Sequence, residues 1–148
     1  MSDKGILDPD SVDPAISSYL EAWFKFRDDT GFVPWEIEEK IYSEKYNFAG
    51  RLDSLGPIKN KLTLVDITTA TTIEIAKVIQ LAAYMGAYNE DKPVKEKIKE
   101  REIVQLNDDG TYTLAPEGLF KKSDFSIFLS CLKLYNFKAE HGRLRYGK

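Results

Sequence analysis

The stretch from Tyr46 to Tyr88 constrains this chain more than any other. It reads YNFAGRLDSLGPIKNKLTLVDITTATTIEIAKVIQLAAYMGAY: two strand-like runs, each with one acidic residue where the apolar pattern ends or alternates, then an uninterrupted helical pattern. Phe48, Gly50 and Leu52 fall on alternate positions, as do Leu62 and Leu64, and a period of two predicts strands. Gly56, Pro57 and the region of Asn60 supply the turn between them. The resulting hairpin-like pair brings Asp53 and Asp66 close together. Two carboxylates facing one cleft suit a hard divalent cation, and Mg²⁺ keeps several waters and borrows further oxygens from substrate phosphates. The ordinary alternative is that each Asp caps a turn at a strand end.

The threonine-rich turn TTATT leads into a helix expected from Ile73 to about Asn89, with Thr72 as its cap and Glu74 favoured in the first turn by the helix dipole. Ile75, Val78, Ile79, Ala82 and Met85 are its expected core face, while Gln80 and Tyr84 point to one neighbouring edge. Lys77 lies three residues before Gln80 and seven before Tyr84, which puts all three on one side. That lysine either reaches back toward the acids or faces solvent. Gln80 and Tyr84 either serve a site or form a plain helix-to-sheet pair.

The succession Glu38, Asp53, Asp66-Ile67-Thr68 and Gln80-Leu81-Ala82-Ala83-Tyr84 resembles the RecB-like, phage exonuclease-like branch of the PD-(D/E)XK nuclease superfamily. The segments YNFAGRLD and QLAAY carry the resemblance most closely, and it covers about residues 15–138. It implies a restriction-endonuclease-like α/β core, a mixed central sheet flanked by helices. It also implies Mg²⁺- or Mn²⁺-dependent hydrolysis of DNA, with phage-type end processing as the specific expectation. Asp53, Asp66 and the Ile67 carbonyl take the metal-binding roles, Glu38 the earlier acidic position, and Gln80 with Tyr84 the orientation of the nucleic-acid backbone. Two departures stand out. Thr68 occupies the position where the family usually has lysine, and a hydroxyl supplies no positive charge to a phosphoryl group. No histidine precedes Asp53, the single one being His141. Lys77 is the substitute nearest in pattern. A degenerate scaffold that binds nucleic acid without cutting it, or a subunit completed by another copy or another protein, is the alternative.

Around this centre the chain divides into a leader at 1–12, a nuclease-like domain at 13–138 and a basic tail at 139–148. Asp13-Pro14 starts a helix in which Ile16, Tyr19, Trp23 and Phe26 recur at helical intervals, either packing on the sheet or offering an aromatic platform to nucleic acid; Thr30-Gly31 ends it. Val33 to Ser43 reads as an edge strand with neither face wholly apolar. A mixed-charge connector from Lys92 to Arg101 precedes two strands, Glu102 to Leu106 and Thr111 to Ala115, joined by Asn107-Asp108-Asp109-Gly110. A last helix begins at Ser123 or Asp124 and runs to about Phe137, its stripe formed by Phe125, Phe128, Leu129, Leu132 and Tyr135, with Cys131 expected as a buried thiol.

One cysteine excludes an intrachain disulfide framework, and the single histidine leaves little for acyl-transfer or structural-zinc chemistry. A net charge of −3 does not mark a nucleic-acid binder, although local basic rims are independent of the total. With no membrane-length apolar run and no signal-like start, cytoplasmic residence is the default expectation.

Overall fold

A computed structural model describes residues 14–142. Its elements are α1 (Pro14–Thr30), β1 (Glu36–Ser43), β2 (Phe48–Ile58), β3 (Lys61–Thr68), α2 (Ile75–Asn89), β4 (Glu100–Leu106), β5 (Tyr112–Leu114) and α3 (Asp124–His141), with a single 3₁₀ turn at Val94–Glu96. The strands form one five-stranded sheet in the order β1-β2-β3-β4-β5. Only β3 and β4 run parallel, and the chain between them carries α2; every other neighbouring pair is antiparallel. The fold is therefore α/β, a mixed sheet flanked by three helices. Among the described residues no helix is long and apolar enough to cross a membrane. The leader, and the tail beyond residue 142, lie outside the described residues.

The sheet separates two apolar layers. On one side, Trp23 and Phe26 of α1 pack with Phe32, Val65, Val104 and Leu106. On the other, Val78 and Leu81 of α2 pack with Ile41, Leu52, Leu55, Leu64, Ile98 and Ile103. Adjacent residues such as Leu64 and Val65, or Ile103 and Val104, serve opposite layers. That explains why each parallel strand breaks its alternation with one pair of consecutive apolar residues, one for each layer. The end of α1 follows from its last residues. The Thr30 hydroxyl donates to the Phe26 carbonyl at 2.7 Å and accepts from the Phe32 amide at 3.2 Å, while Gly31 takes φ +73°. A left-handed glycine just past the last helical turn is a common stop.

Several boundaries differ from those expected. Gly56 and Pro57 lie inside β2, and the turn is Lys59-Asn60, both at positive φ. Gly56 serves close approach: a Cβ there would sit 2.1 Å from the Val33 carbonyl oxygen. Pairing with β1 stops at Leu55, so Pro57 has no partner strand on that side to miss its absent N–H. β1 begins at Glu36, after Pro34. α2 begins at Ile75 behind Glu74, with no side-chain cap, so Thr72 is not its cap. Its buried face is Val78, Leu81, Ala82, Ala83 and Ala87, whereas Ile75 is 69% exposed. α3 extends to His141, three residues into the expected tail. Its first half docks, with Phe125 against Tyr46 and Phe128 against Phe48 at ring-centroid distances of 5.8 and 4.7 Å. Its second half projects, leaving Tyr135 exposed and making Cys131 an exposed thiol rather than a buried one.

Candidate functional site

The β2–β3 ladder runs from Ile58↔Lys61 to Ser54↔Val65, and one further step sets Asp53 opposite Asp66. The Ile67 amide donates to Asp53 Oδ2 at 3.2 Å, fixing that carboxylate across the end of the hairpin. Asp66 is only 5% exposed, and its Oδ2 has no hydrogen-bond partner. The nearest cation to that oxygen is Lys77 Nζ at 3.6 Å, too long for a hydrogen bond but within ion-pair range. α2 delivers this ammonium from its first turn, so the lysine arrives from the helix instead of from β3.

Charge is crowded here. Burial, and after it the neighbouring Asp53 carboxylate as hydrogen-bond partner and like charge, push the Asp66 carboxyl up to about 7, against the opposing pull of Lys77. Two turns along α2 from Lys77, Tyr84 lies half-buried with its ring on Gly50. A Cβ at that glycine would come within 2.2 Å of the Tyr84 Cε1. Burial and then the charges of Asp53 and Asp66 raise the Tyr84 phenol, so it stays protonated and able to donate.

The remaining predicted residues stand apart. Glu38 occupies the register slot facing Asp53, between the pairs Ile37↔Ser54 and Glu39↔Leu52, yet the ladder skips it. Its backbone takes φ +53° and its side chain is exposed, so it does not complete an acidic trio. Thr68 closes the end of β3, its hydroxyl accepting from the Ala70 amide at 3.0 Å. Gln80 is exposed on α2. The structure thus brings together Asp53, Asp66, Lys77 and Tyr84, and leaves Glu38, Thr68 and Gln80 outside that group. Sequence reasoning missed Gly50 as the seat of Tyr84; the small residue in YNFAGRLD was its signal.

No family model matches the sequence, and no curated protein matches it significantly. The chemistry therefore has to be read from the donor set itself. Among the described residues no three His, Cys, Asp or Glu side chains meet to hold a metal. What the site offers is two carboxylates, one with an unsatisfied buried oxygen, beside the backbone of Ile67. That suits a small hard cation of the Mg²⁺ or Mn²⁺ kind, which takes one or two carboxylates and fills its other positions with water and substrate oxygens. It does not suit zinc held by nitrogen and sulfur.

Proposed function

We propose that this chain is a divalent-metal-dependent deoxyribonuclease built on a restriction-endonuclease-like core, acting on DNA ends. The observation that carries the reading is the register-opposed pair Asp53 and Asp66 with the Lys77 ammonium 3.6 Å from the buried Asp66 oxygen. Two carboxylates and one lysine are the charged groups with which the resembling family hydrolyses phosphodiesters, and here the lysine comes from α2 where that family takes it from the strand. The succession of one helix, three antiparallel strands, a helix and a parallel strand also supports a restriction-endonuclease-like core.

In this reading Asp53, Asp66 and the Ile67 carbonyl hold Mg²⁺ or Mn²⁺. The metal supplies Lewis acidity and a lowered pKa for attacking water. Lys77 stabilises negative charge that develops on the phosphoryl oxygens. The protonated Tyr84 phenol donates to the DNA backbone, and the exposed Gln80 extends the same helix face along it. Glu38 assists only by way of solvent.

A second reading, a noncatalytic DNA-binding or assembly module or a subunit completed by a partner, is favoured by Thr68, whose hydroxyl is committed to Ala70. Cleavage of end-labelled single-stranded and duplex DNA with Mg²⁺ or Mn²⁺ separates the two, comparing the chain with Asp66→Ala and Thr68→Lys. Activity abolished by Asp66→Ala supports the nuclease. Cleavage by Thr68→Lys alone identifies a disabled site, and silence throughout favours the module.

A further inference from the structure

Beside α1 lies a cavity of about 290 Å³ that the nuclease chemistry leaves unused. Ile16, Tyr19 and Trp23 line it from α1, Ile37 and Ile67 from the sheet, and Asp53 is its one charged lining residue. Ile16 and Ile37 are 53% and 44% exposed, so the cavity opens to solvent, whereas Trp23 is 7% exposed and forms its depth. Asp53 is common to this cavity and to the acid pair. A nucleotide whose phosphate lies at Asp53 and Asp66 therefore has an aromatic, water-poor chamber within reach of its own base.

We propose that this cavity receives an unstacked nucleobase of the strand being processed, which makes single-stranded or frayed DNA the substrate in preference to closed duplex. The inference rests on the nuclease reading for the position of the phosphate. A base inside a duplex cannot enter such a chamber without leaving its stack, and an already unpaired base loses least in doing so. The lining also fixes the kind of recognition. Ser54, the polar residue beside Asp53, directs its hydroxyl to the Val65 carbonyl at 3.5 Å, and Asp53 accepts from the Ile67 amide. Few groups remain to read base edges, while Tyr19 and Trp23 offer faces and edges that any base can pack against. Recognition by stacking is tolerant of base identity.

The sequence contains two tryptophans, and Trp35 is 66% exposed and outside the cavity lining. A Trp35→Phe variant makes Trp23 the sole tryptophan reporter of cavity occupancy. Its emission is followed during titration with a short oligothymidylate, with an abasic oligomer of the same length and with a closed hairpin duplex, in Ca²⁺ to hold back cleavage. The expected result is quenching by oligothymidylate at concentrations about tenfold or more below those needed for the other two ligands. Equal quenching by all three, or quenching by none, overturns the proposal. The same protein is assayed for cleavage in Mg²⁺. Cleavage without base-dependent quenching discards the base chamber and keeps the nuclease. Base-dependent quenching without cleavage keeps the chamber and discards hydrolysis.

Discussion

Asp66 is placed where an ionised carboxylate is disfavoured, buried beside a second acid with one oxygen unsatisfied. The fold binds its proton more tightly than the unfolded chain does. The stability this contributes is complete below the ordinary carboxyl value of 3.8 and is lost as pH rises through about 7. Replacing Asp66 with Asn is therefore expected to stabilise the protein at pH 8, on the order of 1–3 kcal/mol, and to change it little near pH 4. Urea titrations at the two pH values check this, and equal effects at both would refute the buried-charge account. Because metal binding needs the ionised form, Mg²⁺-dependent cleavage should rise with pH through about 7. Lys77→Met should lower cleavage by roughly 10²-fold and move that rise to higher pH, with Lys77→Arg restoring part of the rate. A pH–rate profile unmoved by Lys77→Met would remove the lysine from the site. At this scale the sequence was informative for Asp53 and Asp66, because strand alternation and a short connection fix which residues face each other. On Glu38 it misled: the resemblance gave it the earlier acidic position, and nothing in IEEKIYS announces a left-handed backbone at one glutamate.

Elements were legible wherever one pattern ran unbroken, and shifted wherever two patterns met. α1 emerged with its observed end, because Thr30-Gly31 can stop a helix. In α2 the run TTIEIAKVIQLAAYMGA offers apolar residues on nearly every face, so the expected face of Ile75, Val78, Ile79, Ala82 and Met85 was one phase among several. The sheet decided it, accepting the small Ala82, Ala83 and Ala87 and leaving Ile75 in solvent. Gly56 looked like a turn because glycine before proline usually is one; its task is to let the Val33 backbone pass. Gly50 links an element to the site. Gly50→Val is expected to cost about 1–3 kcal/mol in urea denaturation by driving a side chain into the Tyr84 ring. Tyr84→Ala should recover much of that loss in the double variant, a coupling that would vanish if the two residues were independent.

Across the whole molecule, a buried ion pair ties β4 to α2 and α3. Arg101 of β4 meets Asp124 of α3 at 3.1 Å, donates to the Val78 carbonyl of α2 and to the Lys121 carbonyl, and stacks over Phe120. Arg101→Leu strands a buried carboxylate, and a loss of about 3–5 kcal/mol is expected in chemical denaturation. The sequence placed Arg101 in a charged connector, where a lysine-rich stretch conceals a cation that folding buries. The two hairpin-like pairs were legible because each is joined by a short connection; the docking of α3 on α2 was not, because it depends on partners more than thirty residues away. Among the described residues β1 and β5 leave the sheet with two open margins, and both are defended. β5 is three residues long. β1 carries a run of glutamates and a lysine, and the left-handed turn of its backbone at Glu38 interrupts the row of amides and carbonyls that a foreign strand would copy. The irregularity that keeps Glu38 from the acids thereby denies the sheet a template for growth, so concentrated protein should resist assembling into fibrils along that margin.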